Sequence, residues 1–461
     1  MKVRQIDAIR EINMRLLFVL PLVALLLAAT HLASAAEYCV DPKGDDANTG
    51  TESQPWKTLQ KAADTLVAGD TVHIKAGTYH ERVIPKNSGS PGKRITYAAF
   101  PGHEVTVDGQ GIAFGWGSGL FHIKDKSGIT VSGLRIVNSA YYGVSISGNA
   151  SHITIEKNFL RGCQSSGIHV WSHRRATTIR HIVIADNEVT ETNMKGDQEG
   201  ISVCGADAFE VRGNHVHHIH KEGIDAKEGC SNGKILKNYV HHMLGFRQPS
   251  GAVVCTVGVY VDTYGDTRNI EVSGNIVHNC GSGFAIASED GQPSENVSFV
   301  NNIAYNNQDG FVVAPWGKGG PLKNIALMNN VAFANRRKGI FVQHTNIEKV
   351  VVRNNICSQN TEAQIVVNDP IQQGVTLDHN LVDGFRNYKM TWKKEKWQEV
   401  RGDDVVTGNP RFVNPIGGDF HLNKDSPAID KGSPVGAPGV DHEGNHRPEG
   451  PCINIGAYEN K

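Results

Sequence analysis

Nine asparagines, Asn158, Asn187, Asn214, Asn238, Asn275, Asn302, Asn330, Asn355 and Asn380, span 222 residues in eight steps, a mean spacing just under 28. Each sits in the pattern Φ-x-Φ-x-x-Asn-x-Φ, with Φ apolar, broken only at Gly233, where the first Φ is lost. A second pattern, Gly-Φ-x-Φ-x, alternates with it at Gly143, Gly167, Gly200, Gly223, Gly258, Gly283, Gly310 and Gly339. Alternation with period two over so few residues specifies short strands. A unit this small cannot bury its apolar face alone, so successive units must stack as a solenoid. Two inward columns follow. One holds Val144, Ile168, Ile201, Ile224, Val259, Phe284, Phe311 and Ile340. The other holds the residue two past each asparagine, from Leu160 to Val382.

The asparagine is expected to be a turn residue in left-handed backbone, with its amide bonded to the asparagine of the next coil. This resembles the asparagine ladder of right-handed parallel β-helices. The ends agree: Tyr38-Cys-Val-Asp-Pro-Lys-Gly and Pro55-Trp-Lys-Thr-Leu-Gln-Lys-Ala resemble the opening of secreted bacterial β-helix proteins, and Asp419-Phe-His-Leu with Ile455-Gly-Ala-Tyr-Glu their closing segment. The resemblance implies an all-β chain, a single-stranded right-handed parallel β-helix of about ten coils with an N-terminal capping helix. Trp56, Leu59, Ala63 and Leu66 would form the buried face of that helix. Polar caps are what keep a solenoid from growing edge to edge.

The first 35 residues read as an address. Lys2, Arg4, Arg10 and Arg15 precede an apolar run from Leu16 to Ala29, and Ala33-Ser34-Ala35 offers a cleavage site. The run is shorter than the roughly 20 residues a membrane span requires. A signal peptide (1–35) is therefore expected, then one β-helix domain (36–461): cap and first coils over 36–128, regular coils over 129–384, a closing segment over 385–461. The expected protein is a secreted or periplasmic monomer. With 46 Lys+Arg against 47 Asp+Glu, the chain lacks the basic excess of a nucleic-acid binder. Eight cysteines without a CxxC pair argue against zinc ribbons, and Cys255 with Cys280 is a disulfide candidate.

Chemistry on such a scaffold lies on outward positions. Counting from the motif glycine stacks Ser145, His169, Ser202, Asp225, Tyr260 and Ala285 in one outward column, and Ser147, Trp171, Cys204, Lys227, Asp262 and Ala287 in the next. Glu199 and Glu222 each precede a motif glycine. Coils about 4.8 Å apart make Glu199 and Glu222 neighbours, and likewise Lys227 and Asp262. Like charges in register disfavour folding unless a cation or proton lies between them. Oxygen ligands from Glu199, Glu222, Asp225 and Asp262 suit Ca²⁺. The plain alternative is a solvated acidic patch balanced by Lys227, Lys221 and Lys195.

The stretch Glu222-Gly-Ile-Asp-Ala-Lys227-Glu-Gly-Cys-Ser-Asn232 resembles the segment of chondroitinase B and alginate-lyase-type enzymes in which acidic Ca²⁺ ligands precede a lysine base. The resemblance covers about a dozen residues. It implies a Ca²⁺-dependent polysaccharide lyase acting by β-elimination on an acidic, uronate-containing polymer, with Lys227 abstracting the proton. The arginine those enzymes carry on the next coil is absent, and Tyr260 takes the proton-donor role in its place. Asp225 and Asp262 oppose that chemistry by favouring protonated Lys227. Two alternatives use the same residues. A retaining glycosidase needs carboxyls about 5–5.5 Å apart, near the stacking distance of Glu199 and Glu222. A non-catalytic glycan-binding protein needs only the solenoid and its aromatics. Trp171, Tyr264 and Trp316 are candidate sugar platforms, and Arg174 and Arg175 candidate partners for sugar carboxylates. His217, His241 and His278 fall in one column, expected to be a structural stack continued by Tyr305 and Phe333, with transition-metal binding the alternative.

Overall fold

The computed structural model describes residues 35–172, 178–193, 198–247, 253–254, 256–262, 265–368, 374–392 and 395–459. The address segment up to residue 34, Arg174, Arg175, Lys195, Cys255 and Tyr264 lie outside the described residues. No described helix is long and apolar enough to cross a membrane.

The described residues from Glu37 to Thr407 wind through three sheets of mainly parallel strands. Each regular coil contributes a longer strand to the first sheet (Ser151–Glu156, for example), a three-residue strand to the second (Phe159–Arg161) and a strand after the motif glycine to the third (Ile168–Trp171). The first and second sheets have 13 strands and the third 12. The last two strands of the third sheet, Lys389–Trp392 and Glu395–Glu399, close it by antiparallel pairing. The expected register holds: Val144, Ile168, Ile201, Ile224 and Val259 pair in succession, as do Leu160, Val189, Val216, Val240 and Val277. These residues are fully buried in one continuous core. The break in the pattern at Gly233 is filled from below: a Cβ there would lie 2.2 Å from the ring of Phe209, which occupies the missing side chain's space.

The ladder runs unbroken from Asn158 to Asn380. Each amide nitrogen donates to the next asparagine's Oδ1 at 2.9–3.1 Å and to a backbone carbonyl, while Oδ1 also accepts from the preceding asparagine's N–H. One expectation is corrected. The left-handed residue is the one before each ladder asparagine, at Lys157, Asp186, Gly213, Lys237, Gly274, Asn301, Asn329, Asn354 and His379. The preceding residue makes the turn, so the ladder side chain stays free to satisfy the buried corner's polar groups. A second ladder, Asn307–Asn335–Asn360–Gln364, follows five residues on. The motif glycines are needed for space: a Cβ on Gly310 would lie 2.4 Å from the carbonyl oxygen of Gly339 in the next coil.

The N-terminal helix is shorter than the apolar spacing suggested, Leu59–Thr65, with Thr58 accepting from the Lys61 N–H as N-cap. Trp56 and Leu66 flank it, yet both join Leu59 and Ala63 in the core. At the other end, Phe412–Asn414 pairs with Asp419–Leu422, and Phe420, Ile455 and Tyr458 cover apolar residues of the second sheet's late coils. The histidine stack is present, with His217–His241 rings 5.0–5.1 Å from their neighbours and His278 4.6 Å from Tyr305. All seven described cysteines are free thiols, so the Cys255–Cys280 pairing rests on a residue outside the described set.

Candidate functional site

Alternation along the third sheet turns Ile224 and Ala226 into the aliphatic core and Asp225 and Lys227 away from it. Asp225 pairs in register with Ser202 on one side and Tyr260 on the other. The Gly200 N–H donates to the Glu222 carbonyl at 2.9 Å, which puts Glu199 and Glu222 on adjacent coils. The structure thus brings Glu199, Glu222, Asp225 and Lys227 together on one face.

They are not a solvated patch. Glu199 is 0% exposed, Asp225 2%, Asp262 4%, Glu222 8% and Lys227 9%. Lys227 Nζ donates to Glu199 Oε1 at 2.7 Å and lies 3.6 Å from Asp225 Oδ2. Lys221 Nζ approaches the same Glu199 oxygen at 3.1 Å and Glu222 Oε2 at 3.5 Å. The Lys227 ammonium reaches back to Glu199 on the preceding coil and pairs along its own strand with Asp225. Among the described residues, Glu199 Oε2 and Asp225 Oδ1 have no hydrogen-bond partner.

The titration behaviour follows from this packing. Burial would raise the Glu199 carboxyl, but Lys227 and then Lys221 outweigh it and hold Glu199 well below the usual range. Burial pushes Glu222 up to about 7 against the pull of Lys221. Burial also drives Asp225 upward, with Lys227 opposing and Glu199 and Asp262 reinforcing. Burial works against a charged Lys227, but Glu199 and Asp225 overcome it and the ammonium keeps its proton. His169, buried and stacked on Tyr142 at 4.0 Å, is lowered by burial to about 3.

Tyr260 is buried and donates from Oη to Glu289 Oε1 at 2.7 Å, with Trp316 edge-on at 5.6 Å. Burial pushes its hydroxyl well above the ordinary value, so Tyr260 keeps its proton. Trp171 packs edge-on against Trp116, 65% exposed, at 5.4 Å. Sequence reasoning missed Glu289, Trp116 and Tyr142. Glu289 and Trp116 lie outside the repeat columns, so no register count finds them. The third sheet's outward face turns apolar beyond Tyr260, with Ala285, Val312, Phe341 and Trp397 in one cluster.

A protein of Bacillus subtilis known as YwoF and described as uncharacterized is 28% identical over 432 residues, covering 84% of this chain and 91% of that protein. The pectate lyase PEL9 of Emericella nidulans is 28% identical over 215 residues, covering 44% of this chain and 46% of that enzyme. The crystal structure of the pectate lyase Pel9A superposes with a TM-score of 0.56 at 13% identity, over 94% of this chain and 98% of that one, a likeness of fold. Residues 38–312 match the family described as Pel9A-like, right handed beta helix region. The coil stacking, the buried ladder and that match converge: the chain belongs to the Pel9A-like right-handed β-helix family.

Proposed function

We propose that this protein is an exported, Ca²⁺-dependent polysaccharide lyase that cleaves a uronate-containing polymer by β-elimination, with Lys227 as the base. The observation that carries the reading is a buried lysine bracketed by two carboxylates, Glu199 and Asp225, each with an oxygen left unsatisfied among the described residues. Such groups are costly without a further partner. Four acidic side chains (Glu199, Glu222, Asp225, Asp262) face two ammonium groups (Lys221, Lys227), a deficit of two positive charges when all are ionised. That deficit and the orphaned hard oxygens suit a divalent oxygen-seeking cation, which would have to draw the carboxylates in, since among the described residues no three of them bring oxygens within 4.8 Å of one another. Held by those four carboxylates, Ca²⁺ would offset the substrate's C5 carboxylate, acidify the C5 proton and counter the field that keeps Lys227 protonated.

The chain's own groups supply the rest. Neutral Lys227 takes the C5 proton at Nζ. The C4–C5 double bond forms, the C4–O bond breaks, and Tyr260 Oη protonates the departing oxygen. The products are an unsaturated uronate end and a new reducing end. Trp171 and Trp316 supply ring faces for the polymer, and Arg174, Arg175 and Tyr264, outside the described residues, remain assigned to substrate contact. The basic, apolar and small-residue order of the first 35 residues supports export, and the active unit is a monomer. A pectate lyase among the relatives makes polygalacturonate the first polymer to test.

A second reading rests on a separate observation: Glu199 and Glu222 are driven apart in acidity, one lowered and one raised to about 7. That is the division of labour between a glycosidase's nucleophile and its acid. Incubation with polygalacturonate and Ca²⁺ separates the two. Ultraviolet absorbance rising with reducing ends supports the lyase; reducing ends without absorbance support the hydrolase; neither, on acidic or neutral polymers, leaves a glycan-binding protein.

A further inference from the structure

The second sheet carries more histidine than a stack requires. A stack uses one imidazole per coil, and His217, His241 and His278 supply it. His215 belongs to the neighbouring column, in register with Glu188 below and Tyr239 above. His215 also leans on the rings of His217, Tyr239 and His241 at 4.3–5.2 Å, but stacking gives Glu188 no role. Its geometry gives it one.

A ligand oxygen of Glu188 and ring nitrogens of His215 and His217 all lie within 4.8 Å of one another. His217 Nε2 is 3.3 Å from Glu188 Oε1, and His215 Nε2 is 2.8 Å from Nε2 of His241 on the next coil. The far nitrogens are engaged elsewhere. His217 Nδ1 bonds His218 Nδ1 at 2.7 Å and Thr190 Oγ1 at 3.1 Å, and His241 Nδ1 bonds His242 Nδ1 at 2.7 Å. With Nδ1 donating in those contacts, the Nε2 lone pair of His217 faces Glu188 Oε1. Outer hydrogen bonds of this kind orient imidazole ligands at metal centres. The Glu188 side chain is 44% exposed and that of His217 15%, so an ion has a way in.

We infer that this face holds one borderline divalent transition-metal ion of the zinc class, ligated by Glu188, His215 and His217 with water completing the shell. Two imidazoles and one carboxylate select such an ion over Ca²⁺, which seeks oxygen. Zinc about 2.0–2.1 Å from each nitrogen holds tetrahedral ligands about 3.3 Å apart, so the three groups, within 4.8 Å of one another, draw together as the ion enters and His215 gives up its contact with His241. The ion ties two successive coils together on a different sheet from the carboxylate cluster, independently of the reading proposed for that cluster.

The test is equilibrium dialysis of the untagged, chelator-stripped chain against Zn²⁺ in excess Ca²⁺. The expected result is one saturable Zn²⁺ per chain, with Glu188→Gln and His215→Asn each weakening it at least tenfold. His152→Asn, in a stacked histidine pair on the first sheet, should leave it unchanged. Melting temperatures measured without zinc show whether each variant is folded. The result that overturns the site is no saturable binding, or binding that survives the folded Glu188→Gln/His215→Asn double variant.

Discussion

Lys227 donates from Nζ to Glu199 Oε1 at 2.7 Å, a bond between neighbouring coils whose acceptor is wholly buried. Removing one side of such a pair strands the other charge in a low-dielectric setting. Glu199→Gln should therefore cost about 3–5 kcal/mol in urea unfolding. The Glu199→Gln/Lys227→Met double variant should lose less than the two single losses added together. Full additivity would show that the two groups do not interact.

The pH dependence separates the two glutamates. Glu199 is lowered in the folded chain, so its contribution is present above the unfolded carboxyl value and is lost as pH falls. Glu222 is raised from 4.5 to about 7, so the folded chain binds the extra proton and stability declines as pH climbs between those values. Glu222→Gln should flatten that decline in metal-free buffer. Urea midpoints at several pH values across the window check it; an unchanged slope would contradict it.

The ladder offers an internal comparison. Asn302 lies in the buried series, and its loss takes the acceptor from the Asn275 N–H, one of three from the Asn275 amide, and a donor from the Val272 carbonyl. Asn302→Ala should cost about 2–4 kcal/mol. Asn324 belongs to an exposed asparagine row with Asn296 and Asn269 and has φ +51°. Asn324→Gly, which keeps that backbone accessible, should change stability by about 0.5 kcal/mol or less.

The motif glycines make a steric prediction. Gly310→Ala forces a Cβ against the Gly339 carbonyl oxygen at 2.4 Å, and only separation of two coils relieves it. Gly115→Ala meets nothing within 4 Å. The first should lower the melting temperature by several degrees and the second should not, by calorimetry on the two variants.

Much of this architecture was legible because stacking repeats one solution coil after coil. A buried corner asparagine requires another above it, so the ladder announces itself at a fixed interval. The second ladder was equally open to counting: five residues past Asn302, Asn330 and Asn355 the chain reads Asn307, Asn335 and Asn360. The site was half legible. Register placed Asp225 beside Tyr260, but not the direction in which a long flexible lysine swings. Nor could it give Lys227's choice of Glu199, or the burial that turned an apparent surface patch into an enclosed ion network. Glu289 and Trp116 contact the site from outside the repeat columns, where periodicity carries no information.

The central claim is that Lys227 removes the proton. It is tested most directly by the initial rate of ultraviolet absorbance on polygalacturonate for wild type and Lys227→Ala, both shown folded by circular dichroism, with and without a Ca²⁺ chelator. With Lys227 as the base, the wild-type rate with Ca²⁺ falls at least a hundredfold, about 2.7 kcal/mol in barrier, on either change. A folded Lys227→Ala protein that generates the unsaturated product at the wild-type rate would contradict it.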